Sequence, residues 1–320
     1  MASKDLGNRS VMHSTTRQTR SRTLLGLNIS AEEPHKPEIS YKAEQSSQTQ
    51  AASLKQLPSN LKAHDTKLRK RDQALLKRKQ QWLREYDLDI PQSFAKHKIS
   101  VDATLVFAQE EAGTAVCISA EGLLLTCSHC VAESEQDLSE NKTYWLLFRS
   151  GSVVAAKCIA WDEKRDLALL QITAAQLYLP TAKFPFALIH DAAPRVGARI
   201  VCVGHPGSED LEASQPGIKT NYDVLHVSTG VYHGCAEEQD VQDNLEIGAL
   251  MHDAWTYWGH SGAPLLCWKS GRIIGLHSSW DDQTGMRRGI ALQAIQKFLA
   301  LHGTATGTEE TQECSATLAG

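Results

Sequence analysis

The chain has 320 residues, 42% of them hydrophobic, and a formal net charge of −4 at pH 7. That length holds one or two domains of roughly 100–200 residues each, and the apolar content is ample for a buried core. No run reaches the roughly 18 consecutive apolar residues of a membrane span, and the N-terminus lacks the apolar region of a secretory signal.

The modest net charge conceals an asymmetry. Residues 1–85 carry 17 Lys and Arg against 8 Asp and Glu, so a basic leader precedes an acidic body. Residues 1–57 are polar, rich in Ser, Thr and Gln and without a sustained period, which predicts a disordered leader. Arg9, Arg17, Arg20 and Arg22, set among Ser and Thr, also fit a mitochondrial transit peptide.

From Ser59 the texture changes. Leu61, Leu68, Leu75 and Trp82 recur every seven residues among dense Lys and Arg, which predicts a basic helix of about 28 residues ending before Pro91. Residues 58–95 are therefore read as a basic helical segment. Its seam either lies on the body of the protein or, over residues 59–87, meets a partner, RNA or an anionic surface; a nuclear-localisation signal also fits. Apart from Trp82, and Tyr86 at its very end, no aromatic residue is interleaved over 59–87 for base stacking, which weighs against nucleic acid.

Beyond Ile99 the signals are those of strands. Short apolar runs fall at Ala103–Phe107, Ala115–Ile118, Leu123–Thr126, Tyr144–Phe148, Ser152–Ile159, Leu167–Ile172, Arg199–Val203, Val224–Val227, Leu265–Trp268 and Arg272–His277. About ten strands at such spacing predict an all-β barrel or sandwich rather than alternating βαβ units. A closing helix is expected over Ala291–Leu301, and residues 304–320 read as a flexible tail. The eight cysteines are scattered through apolar runs and, with no export signal, read as reduced thiols in an intracellular protein, cytoplasmic or nuclear.

Three segments carry chemistry. Gly259-His260-Ser261-Gly262 precedes a strand, and glycines at minus two and plus one suit a nucleophile on a tight turn. There the N–H groups of Gly259 and Ser261 can converge as an oxyanion hole. Alone the pattern is a common turn. Leu123-Leu124-Leu125-Thr126-Cys127-Ser128-His129 places a histidine just after an apolar strand, and Asp166 stands 37 residues on, before Leu167-Ala168-Leu169-Leu170. His129, Asp166 and Ser261 in that order match one of the known triad arrangements. Zinc is a poor fit to Cys127, His129 and Cys130, three near-consecutive residues with no distant second cluster. No cofactor is expected.

Residues 101–301 resemble the trypsin-like, two-barrel serine peptidases, and among them the high-temperature-requirement (Deg-like) branch. Gly113-Thr114-Ala115-Val116, Glu121-Gly122-Leu123 leading into the histidine motif, Val196-Gly197 through Pro206-Gly207, Val227-Ser228-Thr229-Gly230, Asp253-Ala254 and Arg288-Gly289-Ile290-Ala291 carry the resemblance. It implies two six-stranded antiparallel barrels and a C-terminal helix, a peptidase domain over 96–303, and protein or peptide substrates. It also implies an endopeptidase, which the cysteine and export readings above place inside the cell; a role in protein quality control and a homo-oligomer, with the leader helix supplying oligomerisation or targeting, are expectations. No PDZ-like segment is expected after residue 301.

The resemblance further places Trp255 at the floor of the primary pocket and Ser278, Ser279 and Trp280 on the substrate-pairing strand. Two large rings there favour small side chains or a closed cleft. His277 stands where glutamyl-specific relatives carry a histidine that receives an acidic substrate side chain, although a core histidine fits equally. His260 replaces the acidic residue of secreted trypsins, and Cys130 lacks its usual disulfide partner, whose place falls near Glu111–Ala112. A catalytically silent binding protein on the same fold, its cleft blocked by Trp255 or Trp258, is the alternative function.

Overall fold

The computed structural model describes residues 54–86, 92–108, 113–139, 142–176, 183–210, 213–215 and 217–302. The expected leader through residue 53, the tail from 303 with its Cys314, and Glu111–Ala112 lie outside them.

In chain order, β1 (Lys55–Gln56), α1 (Ala63–Thr66) and α2 (Lys70–Glu85) lead through a 3-10 turn (Gln92–His97) into α3 (Lys98–Asp102). Six strands follow: β2 (Thr104–Phe107), β3 (Thr114–Cys117), β4 (Leu123–Thr126), β5 (Tyr144–Phe148), β6 (Val153–Asp162) and β7 (Leu167–Ala175). Six more complete the sheet structure: β8 (Arg199–Gly204), β9 (His226–Cys235), β10 (Leu250–His252), β11 (Pro264–Cys267), β12 (Ile273–Trp280) and β13 (Arg287–Ala291). The helix α4 (Leu292–Leu301) closes the described chain.

Strands β2 to β7 pair in the order β7-β4-β3-β2-β5-β6, and β6 returns to β7, so the first six close into a barrel. The second six close in the order β10-β13-β12-β11-β8-β9. All these pairings are antiparallel. The fold is therefore two six-stranded barrels with a C-terminal helix.

The apolar runs are continuous rather than alternating because the first barrel is covered on both faces. In β5, Tyr144, Leu146 and Phe148 enter the central core, while Trp145 and Leu147 face the opposite way. β6 divides likewise, with Val154 and Ala156 inward and Val153 and Ala155 outward. The outward set meets Leu76 and Leu83 of α2 together with Leu57 and Leu61. The central core spans both barrels, from Leu105 and Leu124 to Val201, Leu266 and Phe298.

The basic helix differs from expectation. Lys67 adopts φ 55, which ends α1 and breaks the predicted 28-residue helix; α2 keeps 16 residues. Leu61 belongs to the stretch before it, not to the helix, yet still reaches the same apolar cluster. Lys55 and Gln56, expected to be disordered, run parallel to Ala174 and Ala175. Two polar residues have no strand pattern; Gln176 holds this segment by donating its amide to Pro58 O at 2.7 Å. β10 and β13 also escaped the apolar-run criterion, because His252, Arg287 and Arg288 interrupt them.

Leu76 is fully buried between α2 and the barrel. Leu76→Ala should lower stability by about 2–5 kcal/mol, read as a shift in the denaturant midpoint at unchanged slope.

Candidate active site

His129 lies in a short 3-10 turn, Ser128–Cys130, immediately after β4. The turn is pinned from outside: the Trp161 indole N–H donates to Ser128 O at 3.0 Å. Asp166 ends the turn between β6 and β7 with φ 54, a left-handed conformation that Asp tolerates better than most residues. Asp166 is 3% exposed, so its carboxylate needs donors. Three supply them. His129 Nδ1–H lies 2.8 Å from Oδ1 and 3.0 Å from Oδ2, the Ser128 hydroxyl donates to Oδ1 at 2.9 Å, and the His129 amide donates to Oδ1 at 3.3 Å.

A carboxylate only accepts, so the proton of neutral His129 sits on Nδ1 and Nε2 carries the lone pair. Burial by itself pulls the imidazolium down. The negative charge of Asp166, with a smaller contribution from Cys130, outweighs it and holds His129 well above the ordinary range. Sequence reasoning missed Ser128, although it adjoins the histidine; nothing in its type marks it as a carboxylate donor.

Ser261 sits on the turn before β11. Its carbonyl accepts from Thr114 N–H at 2.7 Å, and its hydroxyl donates to Ser278 O at 3.2 Å. The two glycines have distinct reasons. Gly262 (φ 83) has Thr114 O and Thr126 Oγ1 where a Cβ would stand, and Gly259 (φ 98) has His205 O there. Among the described residues the N–H groups of Gly259 and Ser261 donate to no protein acceptor.

His129, Asp166 and Ser261 line one cavity of about 260 Å³. Trp255, His277, Ser278, Ser279 and Trp280 line it too, and so do Tyr222, Tyr257 and Arg287, which the sequence did not single out. Trp255 and Tyr257 lie parallel with centroids 6.4 Å apart, and Tyr222 stands across both at 5.1 and 5.0 Å.

Beneath the cavity is a group of buried histidines. His277 Nδ1 and His252 Nε2 are 3.1 Å apart, and the His260 ring meets those of Trp255 and His277 edge to face. Burial, which at His252 outweighs the charge of Asp253, pushes His252 and His260 down to about 3 and His205 down to about 4; His277 moves the same way. His260, at the position of the acid in secreted trypsins, is thus a neutral wedge.

The seven described cysteines are free thiols. Cys127 does come within 4.8 Å of His129 and Asp166 donor atoms, a grouping able to hold a metal. Its thiol is fully buried, and burial holds it well above its ordinary value, so it is a poor thiolate donor. His129 Nδ1 and Asp166 already satisfy each other.

A family model for the trypsin-like peptidase domain matches residues 113–276, about half of the chain and the whole span from Gly113 past Ser261. The chain belongs to the trypsin-like peptidase family. Its relatives in the Deg-like branch include serine protease HTRA1B of Danio rerio, 30% identical over 199 residues, 61% of this chain and 36% of that protein. Serine protease HTRA1 of Xenopus tropicalis is 29% identical over 189 residues, 59% and 35% of the two chains. A probable periplasmic serine endoprotease DegP-like protein of Brucella suis is 28% identical over 180 residues, 56% and 29%. The trypsin-like chain spans about a third of these relatives' lengths. A crystal structure of the serine endoprotease from Yersinia pestis overlaps 67% of it and 68% of that chain, at TM-score 0.48 and 19% identity. No described helix is long and apolar enough to cross a membrane.

The buried histidines give a pH prediction. A free imidazole protonates near pH ~6.5, whereas these four resist protonation until lower pH in the folded state. Their stabilising contribution is therefore complete above that value and is lost as pH falls below it. The melting midpoint should drop below about pH 6.5, and more shallowly in His252→Phe.

Proposed function

We propose that the protein is a serine endopeptidase in which Ser261 attacks the peptide carbonyl, His129 moves the proton and Asp166 holds the imidazole. The observation that carries this reading is the buried Asp166 carboxylate beneath His129, with Ser261 on the wall of the same cavity.

For attack, the Ser261 hydroxyl leaves Ser278 O and turns to donate to His129 Nε2. Oγ then bonds to the carbonyl carbon as Nε2 takes its proton, and the carbonyl electrons move onto oxygen. The N–H groups of Gly259 and Ser261 receive that oxyanion. Imidazolium formed on Nε2 returns the proton to the leaving amine, and water repeats the sequence on the acyl-enzyme. A substrate strand has a natural dock: β12 continues to Trp280 beyond Leu276, its last residue paired with β11. Main-chain pairing along Ser278–Trp280 orients the peptide, as in strand addition generally.

Specificity rests on two walls. His277 and Arg287 present cationic or donor groups to the cavity, and Trp255 and Trp258 present rings. We place the enzyme inside the cell, a reading supported by free Cys117, Cys127 and Cys202 buried as small apolar side chains. The Ser261–Ser278 hydrogen bond favours a second reading, a resting or silent site on a binding protein.

A fluorophosphonate probe separates the two. Wild type should label and Ser261→Ala should not; an unlabelled wild type favours the binding protein. Asp166→Asn should cut kcat by roughly 10⁴-fold. Because the base must be neutral, the rising limb of kcat/KM should lie above the ordinary histidine range, and removing the Asp166 charge should move it down. Profiling on a peptide library assigns the walls: enrichment of Glu or Asp before the cut supports His277 and Arg287, and its absence removes the acidic pocket.

A further inference from the structure

Residues 205–210 and 217–224 follow β8 and precede β9 as two arms of a ribbon. The arms bridge antiparallel at Glu209 and Lys219, and Asp210 N–H donates to Ile218 O at 2.7 Å. The Thr220 hydroxyl adds a bond to Gly207 O at 2.8 Å. This ribbon lies between α2 on one side and the nucleophile turn on the other.

On the turn side it grips both peptide groups around Gly259. Gly207 N–H donates to Trp258 O at 2.6 Å. In a trans peptide the carbonyl and the following N–H point in opposite directions. Holding Trp258 O therefore aims the Gly259 N–H the other way. His205 N–H donates to Thr114 Oγ1 at 3.1 Å, and that hydroxyl donates to Gly259 O at 2.8 Å. The His205 carbonyl oxygen occupies the space that a side chain on Gly259 would need. Farther along, the Tyr257 hydroxyl donates to Asp210 at 2.9 Å.

On the helix side Val224 packs into the apolar cluster that holds Leu76 and Leu83. Burial and the charge of the neighbouring Asp223 hold the Tyr86 phenol, just after α2, above its ordinary value, and the charges of Arg71 and Arg78 act on Glu209. Lys79, buried on the same helix, donates to Phe107 O at 2.7 Å, and its charge reaches His205. His205 joins the two sides: its buried ring donates from Nδ1 to Val224 O at 2.6 Å, while its own backbone abuts Gly259.

We infer that the N-terminal helix α2 is a working part of the site, and that His205 is a positioning residue transmitting its docking through the ribbon to the Gly259 N–H. The inference rests on the peptidase reading. It assigns α2 a role in kcat rather than in substrate affinity, because the group it orients meets charge that appears in the transition state. An element that lifts α2 from the barrel would quiet the enzyme without touching the cavity.

The test uses full-length protein carrying His205→Leu, His205→Asn or Val224→Ala. Peptide turnover, fluorophosphonate labelling and melting are followed together. Asn can still donate to Val224 O, and Leu cannot. His205→Leu should lower kcat roughly tenfold or more, less than deletion of an oxyanion donor, with KM and the pH midpoint of the His129 limb unchanged. His205→Asn should recover most of that loss, and Val224→Ala should give a smaller fall of the same kind. Should His205→Leu fail to fold, Val224→Ala decides alone. Wild-type kcat in a folded variant, or a change confined to KM or to the folded fraction, overturns the inference and leaves the peptidase reading intact. A wild type that neither labels nor cleaves defeats the peptidase reading, and the inference falls with it.

Discussion

A carboxylate almost removed from water organises this molecule. Asp166 is costly where it stands unless donors surround it, and the chain supplies them from the exit of β4: the His129 ring, the Ser128 hydroxyl and the His129 amide. Satisfying that one charge ties two distant turns of the first barrel together. It also fixes the imidazole tautomer and leaves Nε2 as an acceptor. The electrostatic demand and the tautomer of His129 have a single source.

The second barrel reaches this pair through close backbone contact. Thr114 gives its N–H to Ser261 O, and both Thr114 O and Thr126 Oγ1 crowd Gly262. A side chain at Gly262 would push the Ser261 turn off the first barrel. Ser261 therefore depends on what a residue lacks as much as on what its neighbours supply. The same close fit recurs at Gly259, where the His205 carbonyl occupies the space of a Cβ.

The histidines show how environment divides one residue type into opposite roles. His129 has a buried acidic partner and is held above its ordinary range. His252, His260 and His205 are buried too, and desolvation, which at His252 outweighs the charge of Asp253, pushes them well below it. A neutral floor beneath the cavity and a readily protonated base beside it follow from the position of one aspartate. Composition, with 13 histidines, does not tell them apart.

The amino-acid sequence by itself determined the strand-rich body, the closing helix and the three segments bearing His129, Asp166 and Ser261. Those features are local: apolar runs ended by turn residues, and a glycine-flanked serine. It did not reveal β1 or β10, or that Lys67 divides the basic segment, since two or three residues have no period and a left-handed lysine leaves no mark. Tertiary structure alone decided that Ser128 would donate to Asp166, that Tyr222 and Arg287 would face the cavity, and that α2 would lie over the ribbon holding Gly259. Each depends on segments far apart in the chain becoming neighbours, and barrel closure sets that proximity, which no stretch of residues encodes on its own.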